Sequence, residues 1–362
     1  MADAYVCVVG GGPAGLAAAI ALRLVGQSVV VLDANFPPID KACGEGLMPD
    51  TLEALRSLGV HIPVHEGYPF RGVRFVRGTS EVVADFPDGR ALGLRRTSLH
   101  RLLVERAAEL NVDLRWSQKS VRLIPDGVIA GETTVRSTLI VGADGQNSSI
   151  RRTAGLNETT RNERRYGFRR HYSIAPWTAY MELHWGRNSQ LYITPISPCE
   201  IGVAVLTTDP KLRLDDALKL FPRVAERLKG VAQTSAEAGS PTTMRRLKTV
   251  TSGRVALVGD ASGSVDAITG EGIGLAVRQA CALANAVRRG QLASYEEAHR
   301  RIRRRPAAMA ELMLLLSRFE TAQNAAFGCL SCFPQIFNQL LSIHVGQNPW
   351  RRKSWLLTTP EP

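Results

Sequence analysis

The feature that most narrows what this chain can fold into is a run of glycines ten residues in. Gly10-Gly11-Gly12-Pro13-Ala14-Gly15 satisfies GxGxxG, and its surroundings are what that spacing needs. Residues 5–9 read as a buried strand, 13–25 as an Ala/Leu-rich helix and 28–32 as a second buried strand closing on Asp33, 23 positions after Gly10. Such a βαβ unit has a turn built to bind a dinucleotide. Gly10 allows the tight turn, Gly12 lets a pyrophosphate approach the backbone, and Gly15 lets helix and strand pack closely. Pro13 and Ala14 open the helix, whose dipole favours the anion by roughly 0.3–1 kcal/mol. Asp33 offers a carboxylate to a ribose diol, with Ala34 beside it, and that charge disfavours a 2′-phosphorylated ribose at the same place.

A chain of 362 residues exceeds one domain of roughly 150, so two lobes are expected. A further helix is expected over 98–110, where Leu99, Leu102, Leu103, Ala107 and Leu110 form one stripe behind a Thr97 or Ser98 cap. Residues 139–141 and 255–258 read as short buried strands, each ending in a Gly/Asp turn. Residues 179–185 alternate apolar and polar, 191–194 and 201–206 are strand candidates, and together they predict an antiparallel sheet with one covered face. Residues 72–76 and 81–86 read as a hairpin around Gly78, and after Glu271 the chain reads as helical, broken at Pro306, Pro334 and Pro349. The expected architecture is α/β. A Rossmann-like lobe (1–70, 91–160, 250–290) interleaves with an antiparallel-sheet substrate lobe (71–90, 161–249), and 291–362 form a helical C-terminal segment.

Composition removes other classes. Lysine plus arginine (45) exceeds aspartate plus glutamate (33), a net charge of +12, but three clusters at 161–170, 300–305 and 351–353 hold the whole excess. That is not the even basic coat of a nucleic-acid binder. With 44% hydrophobic and 22% charged residues the chain can bury a core. Six scattered cysteines and no secretory pattern point to a reducing cytoplasm, and no apolar run approaches the roughly 20 residues of a membrane span. Cys329 and Cys332 form a lone CxxC in apolar surroundings, read as core rather than metal or redox site, and no metal site is expected. His184 alternates with apolar neighbours and is expected to be exposed.

Two later segments separate FAD from NAD. Val141-Gly142-Ala143-Asp144-Gly145 through Arg151 resembles the "DG" fingerprint of flavoprotein hydroxylases, and Arg254 through Val258-Gly259-Asp260-Ala261-Ser262 resembles their "GD" fingerprint. With three fingerprints in order, the chain is identified as similar to the p-hydroxybenzoate hydroxylase/geranylgeranyl reductase superfamily over about residues 4 to 290. The resemblance implies a glutathione-reductase-type FAD lobe, with Asp144 at the cofactor and Gly259-Asp260 on the ribityl chain. It further implies that Gly270, Gly272, Ile273 and Gly274 present backbone to the flavin pyrimidine edge, and that Arg96 lies near the pyrophosphate. Amides there would support negative charge on reduced flavin.

The branch within the superfamily is divided. The segment from Gly259 to Ile273 lacks the histidine and proline usual in aromatic hydroxylases, and Lys41-Ala42-Cys43-Gly44-Glu45-Gly46 resembles the reductases' K-x-C-G-G-G, with Glu45 in place of a glycine. Cys43 and Gly44 would then lie beside the flavin, where the thiol either tunes the flavin or merely packs. Gln190 to Pro195 has the proline, but no tryptophan, of the reductase and halogenase segments. The implied activity is an NADPH- or NADH-dependent monooxygenase using molecular oxygen on an aromatic, polyketide-like or other apolar small molecule. A reductase of lipid C=C bonds and a non-catalytic flavin-binding protein are the alternatives. Arg169, Arg170 and His171 either guide an anionic substrate or NADPH phosphate, or form a solvated basic strand edge. The arginines at 300–305, beside the apolar run 309–316, read as a solvated helix end or as peripheral contact with an anionic membrane.

Overall fold

Ala4–Val9 and Val29–Leu32 are parallel neighbours joined by α1 (Pro13–Leu24). The coordinates are a computed structural model and describe residues 4–87, 89–186 and 188–346. From Val6 onward both strands are buried and rich in valine, as a sheet covered on both faces requires. Thr133–Gly142 pairs in parallel with the first strand, Val255–Leu257 pairs in parallel beyond it, and Asp113–Arg115 closes the other edge. The order aligns the carboxyl ends of three strands, so Gly10, Ala143-Asp144 and Gly259 meet along one crevice, where open α/β sheets place ligands.

The remaining helices are α2 (Pro49–Ser57), α3 (Arg96–Glu109), α4 (Ser149–Thr153), α5 (Leu214–Lys219), α6 (Pro222–Leu228), α7 (Gly272–Arg288), α8 (Ala293–Arg318), α9 (Glu320–Cys332) and α10 (Pro334–His344). The expected fold class is borne out. A second, seven-stranded sheet takes its strands from residues 72–85 and 159–247, and a small three-stranded sheet bridges to it. All of its pairings are antiparallel except Gly72–Arg77 with Tyr180–Trp185.

Four local expectations are corrected. The second sheet is covered on both faces around Ser189–Ser197. Leu191 and Ile193 join one core with Leu214, Phe221 and Val224 of α5 and α6, whereas Tyr192 points into another with Met313, Phe327 and Phe337 of the C-terminal helices. Alternation in the sequence therefore separates two cores rather than core from solvent. Helix α3 begins at Arg96 with no side-chain cap of its own, because Glu45 supplies one from a distant segment: its Oε1 accepts the Arg96 N–H at 2.8 Å. Helix α8 runs through Pro306, which is buried with Arg303, Ala310 and Met313; packing outweighs a penalty of about 3 kcal/mol. Cys329 and Cys332 are exposed, because α9 turns its Gln323 and Phe327 inward instead. Pro349 and the cluster Arg351, Arg352 and Lys353 lie outside the described residues.

The segment carrying Gly259 and Asp260 is held from below by a buried polar network. Gly259 N–H donates to Gln279 Oε1 at 2.8 Å, Ser262 Oγ donates to Gly259 O at 2.8 Å, and His299 Nε2 lies 2.9 Å from Ser262 Oγ and 3.2 Å from Gln279 Nε2. Burial, reinforced by Arg303 and Arg300, pushes the His299 pKa down to about 3. The native state thus keeps His299 neutral where the unfolded chain takes up a proton, and stability is lost as pH falls from about 6.5 toward about 3. By pH 5 the loss from this one group is about 2 kcal/mol. Urea unfolding at pH 7.5 and pH 5 will show this difference in wild type and a flatter pH dependence in His299→Gln.

Candidate active site

The crevice is set by glycines that cannot be replaced. Gly10 has φ +112° and presses on the backbone of Ala143 and Asp144, and a Cβ on Gly15 would strike the Gly10 carbonyl. Gly12 is different: it caps α1 without a side-chain bond, and the nearest atom to its would-be Cβ is Arg96 Nη2 at 4.0 Å. The space above it is open, faced by the first-turn amides of α1 and by Arg96, whose Nε is buried without a partner in the protein. Pro13 and Ala14 form that first turn, and Gly259, at φ +59°, sits so close to Ala14 that a Cβ would meet its methyl at 2.5 Å. Asp33 accepts the Gly11 N–H at 2.6 Å and the Asn35 N–H at 2.7 Å, fixing the loop; Ala34 beside it is exposed.

Asp144 caps α4 by accepting from Ser149 N at 2.6 Å and Ile150 N at 3.2 Å, while its Oδ1 is buried and unpartnered. Asp260 lies half-buried with Lys41 Nζ 3.2 Å away. Gly270 takes φ +68° to turn the chain into α7, whose first residues Gly272, Ile273 and Gly274 have no side-chain cap; nothing lies within 4 Å of Gly272's would-be Cβ. Gly44 is exposed with equally open space, its carbonyl accepting from Thr194 Oγ1 at 2.7 Å. Open glycine cradles at two helix N-termini, a buried unpaired guanidinium nitrogen and a carboxylate between them suit a pyrophosphate, a ribitol and an anionic ring edge. These residues fit FAD.

Beside Gly44, burial pushes the Cys43 thiol pKa up although Arg96 opposes it, so Cys43 is a protonated thiol and not a ready nucleophile. Arg169 and His171 are not a solvated edge; their strand is an inner one, and the two residues are buried. Both converge on Glu45, which holds φ +58° with its side chain 1% exposed. Glu45 Oε2 is 2.5 Å from His171 Nε2, and Arg169 Nη1 lies 3.2 Å from His171 Nδ1. A guanidinium only donates, so Nδ1 carries the lone pair and Nε2 donates to Glu45. Arg169 also reaches Asp40 at 2.5 Å, and Arg170 pairs with Asp215 at 2.5 Å. His184 is likewise not exposed: it bonds Glu182 Oε2 at 2.9 Å beneath the sheet. Sequence reasoning missed Glu45, although the glycine it replaces was the signal.

A cavity enclosing about 910 Å³ of atom-free space, its open mouth included, lies between the second sheet and α8–α10. Its wall is almost wholly apolar, with Phe75, Trp185, Met313 and Phe337 prominent. Met48, Ile268 and Thr269 form the part of the wall that adjoins the cofactor crevice, Met48 lying 3.7 Å from where a Gly270 Cβ would be.

The sequence profile of the FAD binding domain family matches residues 3–305. The chain belongs to that family. Among its relatives are a dialkyldecalin synthase of Streptomyces rugosporus, 27% identical over 76% of this chain, and a menaquinone reductase of Mycobacterium tuberculosis, 28% identical over 75% of this chain and 73% of its own length. The match spans 63% of the length of the synthase. Over 41% of this chain and 42% of its own length, 6-hydroxy-3-succinoylpyridine 3-monooxygenase of Pseudomonas putida is 32% identical. In fold, a flavoprotein/dehydrogenase of Cytophaga hutchinsonii superposes with TM-score 0.81 at 18% identity, covering 94% of this chain and 92% of its own. A flavin-dependent brominase superposes with TM-score 0.77 at 20% identity, covering 97% and 95%. At such identities the two structures speak to the fold alone.

Because a Cβ at position 12 comes no nearer to the protein than 4.0 Å, at Arg96 Nη2, Gly12→Val should fold normally yet purify without flavin, and Asp260→Ala should likewise lose its yellow colour. Flavin absorbance after gel filtration, with thermal melting as the folding control, checks both. Glu45→Ala removes the acceptor of the buried His171 Nε2 and of the Arg96 N–H and should cost about 3 kcal/mol in urea unfolding.

Proposed function

We propose that the protein is an FAD-dependent monooxygenase that hydroxylates an apolar small molecule, with NADPH or NADH as electron donor. The observation that carries this reading is the apolar cavity adjoining the cofactor crevice at Met48, Ile268 and Thr269. A pocket with this almost wholly apolar lining suits an apolar molecule rather than a charged one. Relatives named as monooxygenases and hydroxylases of small molecules support the reaction class.

FAD, when bound, supplies the two-electron and oxygen chemistry. The chain's own residues supply the setting. The amides of Gly272, Ile273 and Gly274 and the dipole of α7 face the place where negative charge develops on reduction. Asp260, balanced by Lys41, accepts from the ribityl hydroxyls, and Arg96 neutralises the pyrophosphate. Arg169 and His171 act as positioning residues: through Glu45 they fix the Cys43–Gly44 segment against the cofactor. Cys43 stands there as a thiol, able to hold a proton. In this reading residues 1–70, 91–160 and 250–290 form the FAD lobe and 71–90 with 161–249 the substrate lobe, acting in the cytoplasm.

The menaquinone reductase relative makes reduction of a C=C bond or quinone the competing chemistry. Oxygen decides between them. The NADPH-reduced protein, mixed with aerated buffer and an apolar aromatic ligand, should consume oxygen rapidly and place label from ¹⁸O₂ in the product. Sluggish reoxidation with hydrogenated, unlabelled product would overturn the proposal.

A further inference from the structure

The cavity has a mouth, and the surface around it is unusual. Six of the eleven large apolar side chains that stand exposed among the described residues fall between 312 and 343: Leu312, Leu315, Phe319, Phe333, Ile336 and Ile343, each 40–57% exposed. Between Met309 and Gly346 the sequence has only Glu311, Arg318 and Glu320 as charged residues. Leu312 belongs to both surfaces, lining the cavity while 42% exposed. The apolar interior and the apolar exterior are therefore one continuous surface, of the kind that marks an interaction site.

The charge beside it says what kind. Along α8, Arg301, Arg304, Arg305, Ala308, Leu312, Leu315 and Phe319 recur at three- and four-residue spacing, so they share one helix face, and all are exposed. Glu297 pairs with Arg301 at 2.5 Å, leaving the face net basic at Arg304 and Arg305, and beyond Ala308 it is mainly apolar beside the exposed Glu311, over about 27 Å at 1.5 Å per residue. Past α10 the sequence continues with Trp350, Arg351, Arg352, Lys353 and Trp355, a basic and aromatic composition that favours the boundary between lipid headgroups and acyl chains. No helix among the described residues is long and apolar enough to cross a membrane.

We infer that the α8–α10 face docks on the surface of an anionic lipid bilayer, with Leu315, Phe319, Phe333 and Ile336 among the acyl chains and Arg301 and Arg304 at the headgroups, so that a lipid-dissolved substrate enters the cavity past Leu312. The inference rests on the apolar-substrate reading and names where that substrate comes from. It gives a role to Arg301 and Arg304 of the 300–305 cluster, whose Arg303 is instead buried against the carbonyls of Arg245 and Ser264.

The test is co-sedimentation of the FAD-loaded protein with vesicles of phosphatidylcholine alone or mixed with phosphatidylglycerol. Wild type should pellet with the mixed vesicles, and less so in high salt. Leu315→Glu/Phe319→Glu should stay in the supernatant with both, and Arg301→Glu/Arg304→Glu should lose the preference for anionic lipid. Binding of menadione, a small apolar quinone, measured by calorimetry without vesicles, should be unchanged in both variants, which shows that they fold and keep the cavity. Wild type remaining in the supernatant overturns the inference, as does a dimer in solution that Leu315→Glu/Phe319→Glu converts to monomer. Menadione failing to bind wild type that still pellets would sink the cavity reading and leave the docking face standing.

Discussion

Everything in this molecule depends on how closely three distant pieces of chain approach one another at the top of the first sheet. Gly10 lies against Ala143 and Asp144, Gly15 against Gly10, and Gly259 against Ala14, all within distances that a single methyl group would prevent. The segments are about 130 and 250 residues from the first in sequence, yet the parallel register of the strands carrying them delivers all three to one crevice. Their helix N-termini and turn amides then point into shared open space. The seam makes the protein foldable and the cofactor bindable by the same means: small residues remove bulk, and the removed bulk leaves backbone donors uncovered.

A second constraint joins the two sheets. Glu45 holds a left-handed backbone, which costs a non-glycine residue about 1 kcal/mol, and it buries a carboxylate. Both costs are offset because the carboxylate is bonded on each oxygen, to Arg96 N–H from the FAD side and to His171 from the second sheet, with Arg169 Nε at 4.0 Å. A glycine here would relax the backbone but leave α3 uncapped and the buried His171 Nε2 without its acceptor. Glu45 therefore ties the start of the arginine-bearing helix to the inner strand of the other sheet, and the Cys43–Gly44 segment is held between them.

The cofactor crevice was legible in the sequence because it is made of backbone. Glycines at fixed spacing, a strand before and a helix after leave few foldings, and Gly12 caps α1 as those rules predict, whereas Asp260 and Gly272 were expected only through the family resemblance. The substrate side was less legible because it is made of side chains from separate elements. Alternation at 179–206 revealed strands but not that each face meets its own core, since the covering helices α5–α6 and α8–α10 arise from other parts of the chain. The Thr97/Ser98 cap failed for the same reason: a tertiary acceptor 51 residues away replaced the local one. Exposure of Cys329 and Cys332 turns on which side of α9 packs, and an apolar helix without a clear polar face does not announce that.

The net charge of +12 divides along the same line. Within the 161–170 cluster, Arg165 is buried against Asp266 at 2.7 Å, Arg169 against Asp40 and Glu45, and Arg170 against Asp215 and Glu237. Those arginines are consumed in holding the inner strand of the second sheet to its neighbours, so they present no charged entrance to an anionic substrate. Arg303 is spent likewise on the carbonyls of Arg245 and Ser264. Among the described residues of the clusters, Arg164 stays on the surface, as does the exposed part of the 300–305 cluster, which adjoins the apolar exterior of α8–α10. A charge excess that looked, as a number, like a general affinity for anions is thus in part internal scaffolding, and four of its outward members, Arg300, Arg301, Arg304 and Arg305, lie on the helix that frames the cavity mouth.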